Sequence, residues 1–207
     1  MTENDDWDDE SATPRPLLKV TCTDTDCEND LHCFKQTRAM AKTGDRPGTC
    51  RGCHEWFVEL ERTRRRDVDD QQYLLDALER ELIRHHFWHL PFDQKALDHA
   101  SRKGRRQLYN GVKQRLRTSV GKAVPFRDGT QTPMSGNVLY YAQHATATCC
   151  RTCINYWHGL PRGRPLTESE LDYLESLITR FLDDRLPALD DEPVRVPRRP
   201  SAKVPAR

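Results

Sequence analysis

Sulfur and imidazole are the groups in this chain best suited to chemistry. It carries eight cysteines and eight histidines, and most of them are gathered rather than scattered. The first gathering reads CTDTDCENDLHCF and then GTCRGCHEWF, a spacing of Cys22-x4-Cys27-x5-Cys33, sixteen further residues, and Cys50-x2-Cys53. A C-x2-C turn brings two sulfurs to one point, and a second pair from elsewhere completes a tetrahedron. Thiolates are soft ligands that suit zinc. The spacing nominates Cys22, Cys27, Cys50 and Cys53, with Cys33 or His32 in reserve; Cys33, inside LHCF, can equally pack as a small hydrophobe. Four thiolates also hold iron–sulfur clusters, which makes such a cluster the alternative cofactor. CRGCH matches the c-type haem attachment motif, but that chemistry belongs to exported proteins.

The second gathering is His144, Cys149, Cys150, Cys153 and His158. A helix over Thr148–His158 would set Cys149 and Cys153 one turn apart, with Cys150 also beside Cys153. That arrangement predicts mixed His/Cys zinc coordination in which one of the paired cysteines binds and the other is inert.

A third set lies in DQQYLLDALERELIRHHFWHL, read as one helix from Asp70 to Leu90. There Glu81, His85 and His89 fall at i, i+4 and i+8, nearly stacked on one side. A carboxylate and two imidazoles could hold a catalytic metal with open positions. A metal-bound water with Glu81 as base would make the protein a metal-dependent hydrolase or nuclease. Against this, no H-E-x-x-H motif is present, and the leucine stripe running into the histidines equally describes core histidines with Glu81 at the surface.

These groups need elements to position them, and the apolar supply is thin: 36% hydrophobic against 31% charged. Metal can replace core that composition does not provide. The expected fold is mainly α, with short strands at the metal knuckles (α+β there). It forms a small zinc-stabilised single body between disordered tails. Residues 1–16 form an acidic arm, 17–122 a cysteine-rich knuckle, opening on the strand-like LLKVTC, plus a helical region, 123–187 a Cys/His unit with a terminal helix, and 188–207 a basic, proline-rich tail. The terminal helix is the best marked. Thr167 and Glu170 have capping-box spacing, and Leu171, Leu174, Leu177, Ile178, Phe181 and Leu182 repeat at three and four.

Net charge is only +1, but it is unevenly spread. Arg102, Lys103, Arg105, Arg106, Lys113, Arg115 and Arg117 form a basic stretch able to meet the phosphates of DNA or RNA. The competing reading is a solvated face or pairing with acids of the same chain. Tryptophan and tyrosine surfaces offer a protein partner instead. The acidic start lacks the features of a signal peptide, and no stretch approaches the ~18 apolar residues of a membrane span. The expectation from both is a reducing cytoplasm, where clustered cysteines mean metal more often than disulfide.

One stretch is recognisable. Gln131–Met134 (QTPM), Ala142–Arg151 (AQHATATCCR), Cys153, Trp157–Gly159 (WHG), Gly163–Arg164 and Leu166–Thr167 together resemble the signature of an uncharacterised bacterial family, over residues 127–187. The resemblance implies a shared fold and site and no particular activity. It also implies a helical histidine before QTPM, for which His99 is the nearest upstream candidate.

Overall fold

Helices account for nearly all the regular structure of the computed structural model, which describes residues 20–125 and 132–197. The acidic arm, the first residues of LLKVTC, Gln131 and the end of the basic tail lie outside the described residues. In chain order the helices are α1 (Arg38–Thr43), α2 (Leu60–Arg64), α3 (Gln71–Glu79), α4 (Leu82–His89), α5 (Gln94–Ser119), α6 (Val138–Ala145), α7 (Arg151–His158) and α8 (Glu168–Arg185).

The start of α8 has the local chemistry its sequence announces. Thr167 accepts from the Glu170 amide, and the Glu170 carboxylate accepts from the Thr167 amide. All six apolar residues of the expected stripe are buried. Each such side chain contributes roughly 1.5–3 kcal/mol relative to exposure. Helix α8 packs on α5 and α6, α4 packs on α6, and α2 on α7. Residues from both cysteine regions, such as Phe34 and Cys50 from one and Ile154 and Trp157 from the other, share a single core.

Two expectations are corrected. Among the described residues there is no strand at the knuckles; the chain makes only isolated bridges, Asp26 with Leu31, His32 with Glu81 and Thr49 with Trp56. The chain turns too tightly around its cysteines for a ladder to propagate. The helix expected over Asp70–Leu90 is two helices, because Glu81 takes an extended conformation (φ −86°, ψ 117°) and caps α4. The break is used: the His32 amide donates to the Arg80 carbonyl at 2.7 Å, and the Leu82 amide donates to the His32 carbonyl at 2.9 Å.

A second break falls inside α5 at Gly104, with φ 66° and ψ 164°. It turns the amides of Arg105 and Arg106 away from the preceding helical turn. They donate instead to the carbonyls of Asp190 and Asp191, at 2.8 and 3.3 Å. Only glycine fits: a Cβ there would stand 2.5 Å from the Glu192 carbonyl carbon.

Candidate metal centres

The first centre is built from two tight turns. Cys50–Cys53 closes a knuckle in which the Gly52 amide donates to Cys50 Sγ at 3.3 Å and the His54 amide donates to the Cys50 carbonyl at 3.0 Å. The other turn, a 3-10 turn over Cys27–Asn29, is closed by mutual hydrogen bonds between Asp26 and Leu31. Gly52 lets the two meet: a Cβ on it would be 2.8 Å from Thr25 Oγ1 and 3.2 Å from Cys27 Sγ.

The donors of Cys27, His32, Cys50 and Cys53 all lie within 4.8 Å of one another. Cys27 Sγ and Cys50 Sγ are 3.8 Å apart, and Cys53 Sγ is 3.7 Å from His32 Nδ1. A tetrahedral zinc with Zn–S bonds of about 2.3 Å and Zn–N bonds of about 2.0–2.1 Å separates its donors by about 3.8 Å for S–S and about 3.6 Å for S–N. His32 is 2% exposed and stacks on Phe57 with centroids 4.0 Å apart. Thiols this close compete for charge. Burial opposes ionisation of Cys50, but the backbone N–H groups of Cys33, Cys53 and Gly52, with His32, hold it down to about 6. Burial and the neighbouring Cys50 and Cys53 sulfurs push Cys27 up to about 11. A divalent cation removes the conflict by stabilising every thiolate at once.

Cys22 and Cys33 stand apart from this set. Cys33 is buried in the core at 1% exposure, and its thiol donates to the Cys22 carbonyl at 3.3 Å. Cys22 lies on the wall of a cavity it shares with Cys150 and Cys153. The fourth candidate donor beside Cys27, Cys50 and Cys53 is thus His32. Its sequence signal is easy to pass over, because a histidine five residues after a cysteine is not a spacing that zinc sites repeat.

The second gathering converges by a route other than the expected helix. Helix α7 begins only at Arg151, so Cys149 is outside it. Cys150 is the N-cap, and its sulfur accepts from the Cys153 amide at 3.4 Å. The three sulfurs of Cys149, Cys150 and Cys153 lie within 4.8 Å of one another. His158 is turned to other partners through both ring nitrogens and His144 through Nε2, while the buried Nδ1 of His144 has no hydrogen-bond partner among the described residues. His144 Nε2 is 2.9 Å from the Thr132 carbonyl, and its ring stacks on Phe87. His158 meets the Thr146 carbonyl through Nε2 and the Tyr173 hydroxyl through Nδ1, both at 3.1 Å. Burial pulls both imidazoles down to about 4, which keeps them neutral.

The polar residues of the AQHATATCCR stretch have a similar structural use. Gln143 Nε2 donates to the Thr148 carbonyl, and Thr132 Oγ1 donates to the Cys149 carbonyl, so the turn that aims the thiols is fully braced. His99 lies on α5; its Nδ1 is buried and has no hydrogen-bond partner among the described residues.

Arg84 is the residue that sequence reading missed here. It is 2% exposed. Its guanidinium donates from Nε to Glu81 Oε2 at 2.9 Å, to the His144 carbonyl at 2.7 Å, and to Cys153 Sγ at 3.2 Å, with Cys149 Sγ at 3.8 Å. Burial opposes the charge, yet Cys153, Glu81, Cys149 and Cys22 together raise its pKa well above the ordinary value. Glu81 also accepts from Trp157 Nε1 at 3.1 Å. An arginine in an amphipathic helix reads as surface, and nothing in RELIRHHFW marks this one as interior.

The third set is regrouped by the break before α4. Glu81 is committed to Arg84 and Trp157 and is not near the histidines' donors; the carboxylate that joins His85 and His89 is Glu79. His89 Nε2 is 3.1 Å from Glu79 Oε1, and these two side chains are about half exposed.

The basic stretch runs along α5 toward acidic partners. Arg105 pairs with Asp183 and Asp191, Arg106 with Glu192, Lys113 with Asp172 and Glu168, and Arg117 with Glu168. Arg115 lies over the Tyr140 ring and donates to Gln143. Arg102 and Lys103 make no ion pair among the described residues. No helix among the described residues is long and apolar enough to cross a membrane.

Residues 73–183, more than half of the chain, match a family described as "Domain of unknown function (DUF4186)". The matched span holds Glu81, Arg84 and the Cys149, Cys150 and Cys153 cluster, and leaves out Cys27, His32, Cys50 and Cys53. No solved structure matches the chain. By that match the chain belongs to the DUF4186 family, a domain family that has no assigned activity.

Proposed function

We propose that this is a zinc-binding protein in which Cys27, His32, Cys50 and Cys53 hold a structural zinc ion. The ion clamps the N-terminal segment onto the helical core. The observation that carries this reading is the donor geometry: separations of 3.8 Å for S–S and 3.7 Å for S–N are those of one tetrahedral ion. An iron–sulfur cluster would spread thiolates over several irons and set most of them further apart, so the spacing favours a single ion.

The site is closed, with four protein donors, which is the form of structural rather than catalytic zinc. The hydrolase alternative loses Glu81 to the buried ion pair and would rest on Glu79, His85 and His89, which sit where water is not excluded. A nucleic-acid partner would have to displace the carboxylates already paired with Arg105, Arg106, Lys113 and Arg117 of α5. Both therefore stand behind the structural reading.

Chelation under reducing conditions tests it. Metal removal releases residues 20–58 to protease while α5 and α8 stay protected, and zinc restores the protection. Unchanged proteolysis and circular dichroism after complete metal removal would end the proposal.

A further inference from the structure

The thiols outside the zinc clamp define a site of their own. Cys149, Cys150 and Cys153 bring three sulfurs within 4.8 Å of one another, which matches donors on one ion rather than on a multi-iron cluster. The knuckle bond from the Cys153 amide to Cys150 Sγ parallels the one from the Gly52 amide to Cys50 Sγ in the first centre. Three thiolates leave one tetrahedral position to fill, and two of them, Cys150 and Cys153, line a cavity of about 370 Å³ whose wall also includes Cys22 and Arg84.

Cys22 is held at that wall by specific contacts. Its carbonyl accepts from the Cys33 thiol. A turn in which the Asp24 carboxylate accepts from the Thr21 amide and hydroxyl, each at 2.7 Å, fixes the chain on either side. A second observation points to a charged occupant: a guanidinium that is 2% exposed aims N–H groups at two of the sulfurs. Arg84 has a reason to be buried there if the sulfurs carry negative charge, as they do on a metal. Lys35 and Arg64 on the same wall add to the positive side of the balance.

We propose that Cys22, whose sulfur stands outside the 4.8 Å set but on the same cavity wall, turns to join Cys149, Cys150 and Cys153 as the fourth thiolate of a second mononuclear zinc centre, with Arg84 as its positioning residue. The donor that completes it comes from outside the family-matched span, so the N-terminal segment closes a site that the family domain opens. The two centres then hold opposite ends of one segment: Cys22 at the family domain's thiols, and Cys27 to Cys53 at the clamp.

Cobalt replacement of zinc in the full-length protein tests this, because thiolate-to-cobalt absorption grows with the number of sulfur ligands. Wild type takes up two equivalents. Cys53→Ser loses one and keeps the other with a pure-sulfur spectrum. Cys22→Ser keeps the clamp but weakens the second equivalent at least tenfold and lowers its charge-transfer intensity. Cys150→Ser removes it. If Cys53→Ser abolishes all metal binding, or Cys22→Ser leaves the second site's affinity and spectrum unchanged, the inference fails while the clamp stands. If only Cys150→Ser and Cys22→Ser lower the metal content, the clamp fails and the second centre stands. Iron bound with a brown chromophore at these cysteines overturns the mononuclear assignment.

Discussion

The Asp30 carboxylate accepts from Nε2 of His32 at 2.9 Å. Because a carboxylate only accepts, this contact puts the ring proton on Nε2 and leaves the lone pair of Nδ1 facing Cys53 Sγ. Carboxylate, imidazole and metal in series is how a histidine ligand is oriented and made more basic.

Asp30→Ala therefore weakens zinc at the first centre by about 10–100-fold. Competition with a chromophoric chelator measures it. The fold persists in saturating zinc, because Asp30 itself is largely exposed. An unchanged affinity would remove Asp30 from the account.

Glu81→Gln leaves the buried Arg84 charge without its carboxylate, and breaking such a pair costs about 3–5 kcal/mol. Urea unfolding of the zinc-loaded variant should show a loss of that order. Arg84→Lys does not rescue the site, since a point charge cannot reach Glu81, the His144 carbonyl and Cys153 together. A loss below about 1 kcal/mol would mean that water reaches the pair.

Arg164 beside Glu170, helped by the Thr167 amide, holds the Glu170 carboxyl down to about 2 from 4.5. Because the folded value is depressed, this stabilisation is fully present above pH 4.5 and fades as pH falls toward 2. Glu170→Gln, which keeps an acceptor but not the charge, lowers Tm at pH 6 by about 2–4 °C for a loss of about 1 kcal/mol. The gap between variant and wild type narrows below pH 4.5. A gap that is constant down to pH 3 would assign the effect to packing.

Gly104→Ala forces a side chain onto φ 66° and into the Glu192 backbone. It should cost roughly 1–3 kcal/mol and detach the 190–194 segment, whose carbonyls hold Arg105 and Arg106 and whose Val194 amide donates to Ser101. Limited proteolysis near residue 190 reports the detachment. Resistance equal to wild type would show that the helix simply closes across the break.

Helix α8 was legible because its signals are local: cap and stripe lie within one stretch of chain, and nothing distant overrides them. The C-x2-C knuckle was legible for the same reason. What escaped was set by contacts far apart in sequence. The 80–82 break exists because residue 32 pairs there, and a periodic pattern read from Asp70 to Leu90 contains no trace of that partner. That break in turn exchanges Glu81 for Glu79 beside the histidines and points Arg84 inward. The histidines flanking the second cluster had the right residue type, but the Thr132 carbonyl takes Nε2 of His144, whose buried Nδ1 has no hydrogen-bond partner among the described residues, and Tyr173 and the Thr146 carbonyl take both nitrogens of His158.

The most direct test is the metal content of protein purified without oxygen, with zinc X-ray absorption on the same sample. About two zinc ions per chain are expected, with mainly sulfur and some nitrogen ligation, falling to one in Cys53→Ser with loss of the nitrogen contribution. A folded, protease-resistant protein that carries no metal, or one that carries iron in its place, would contradict it.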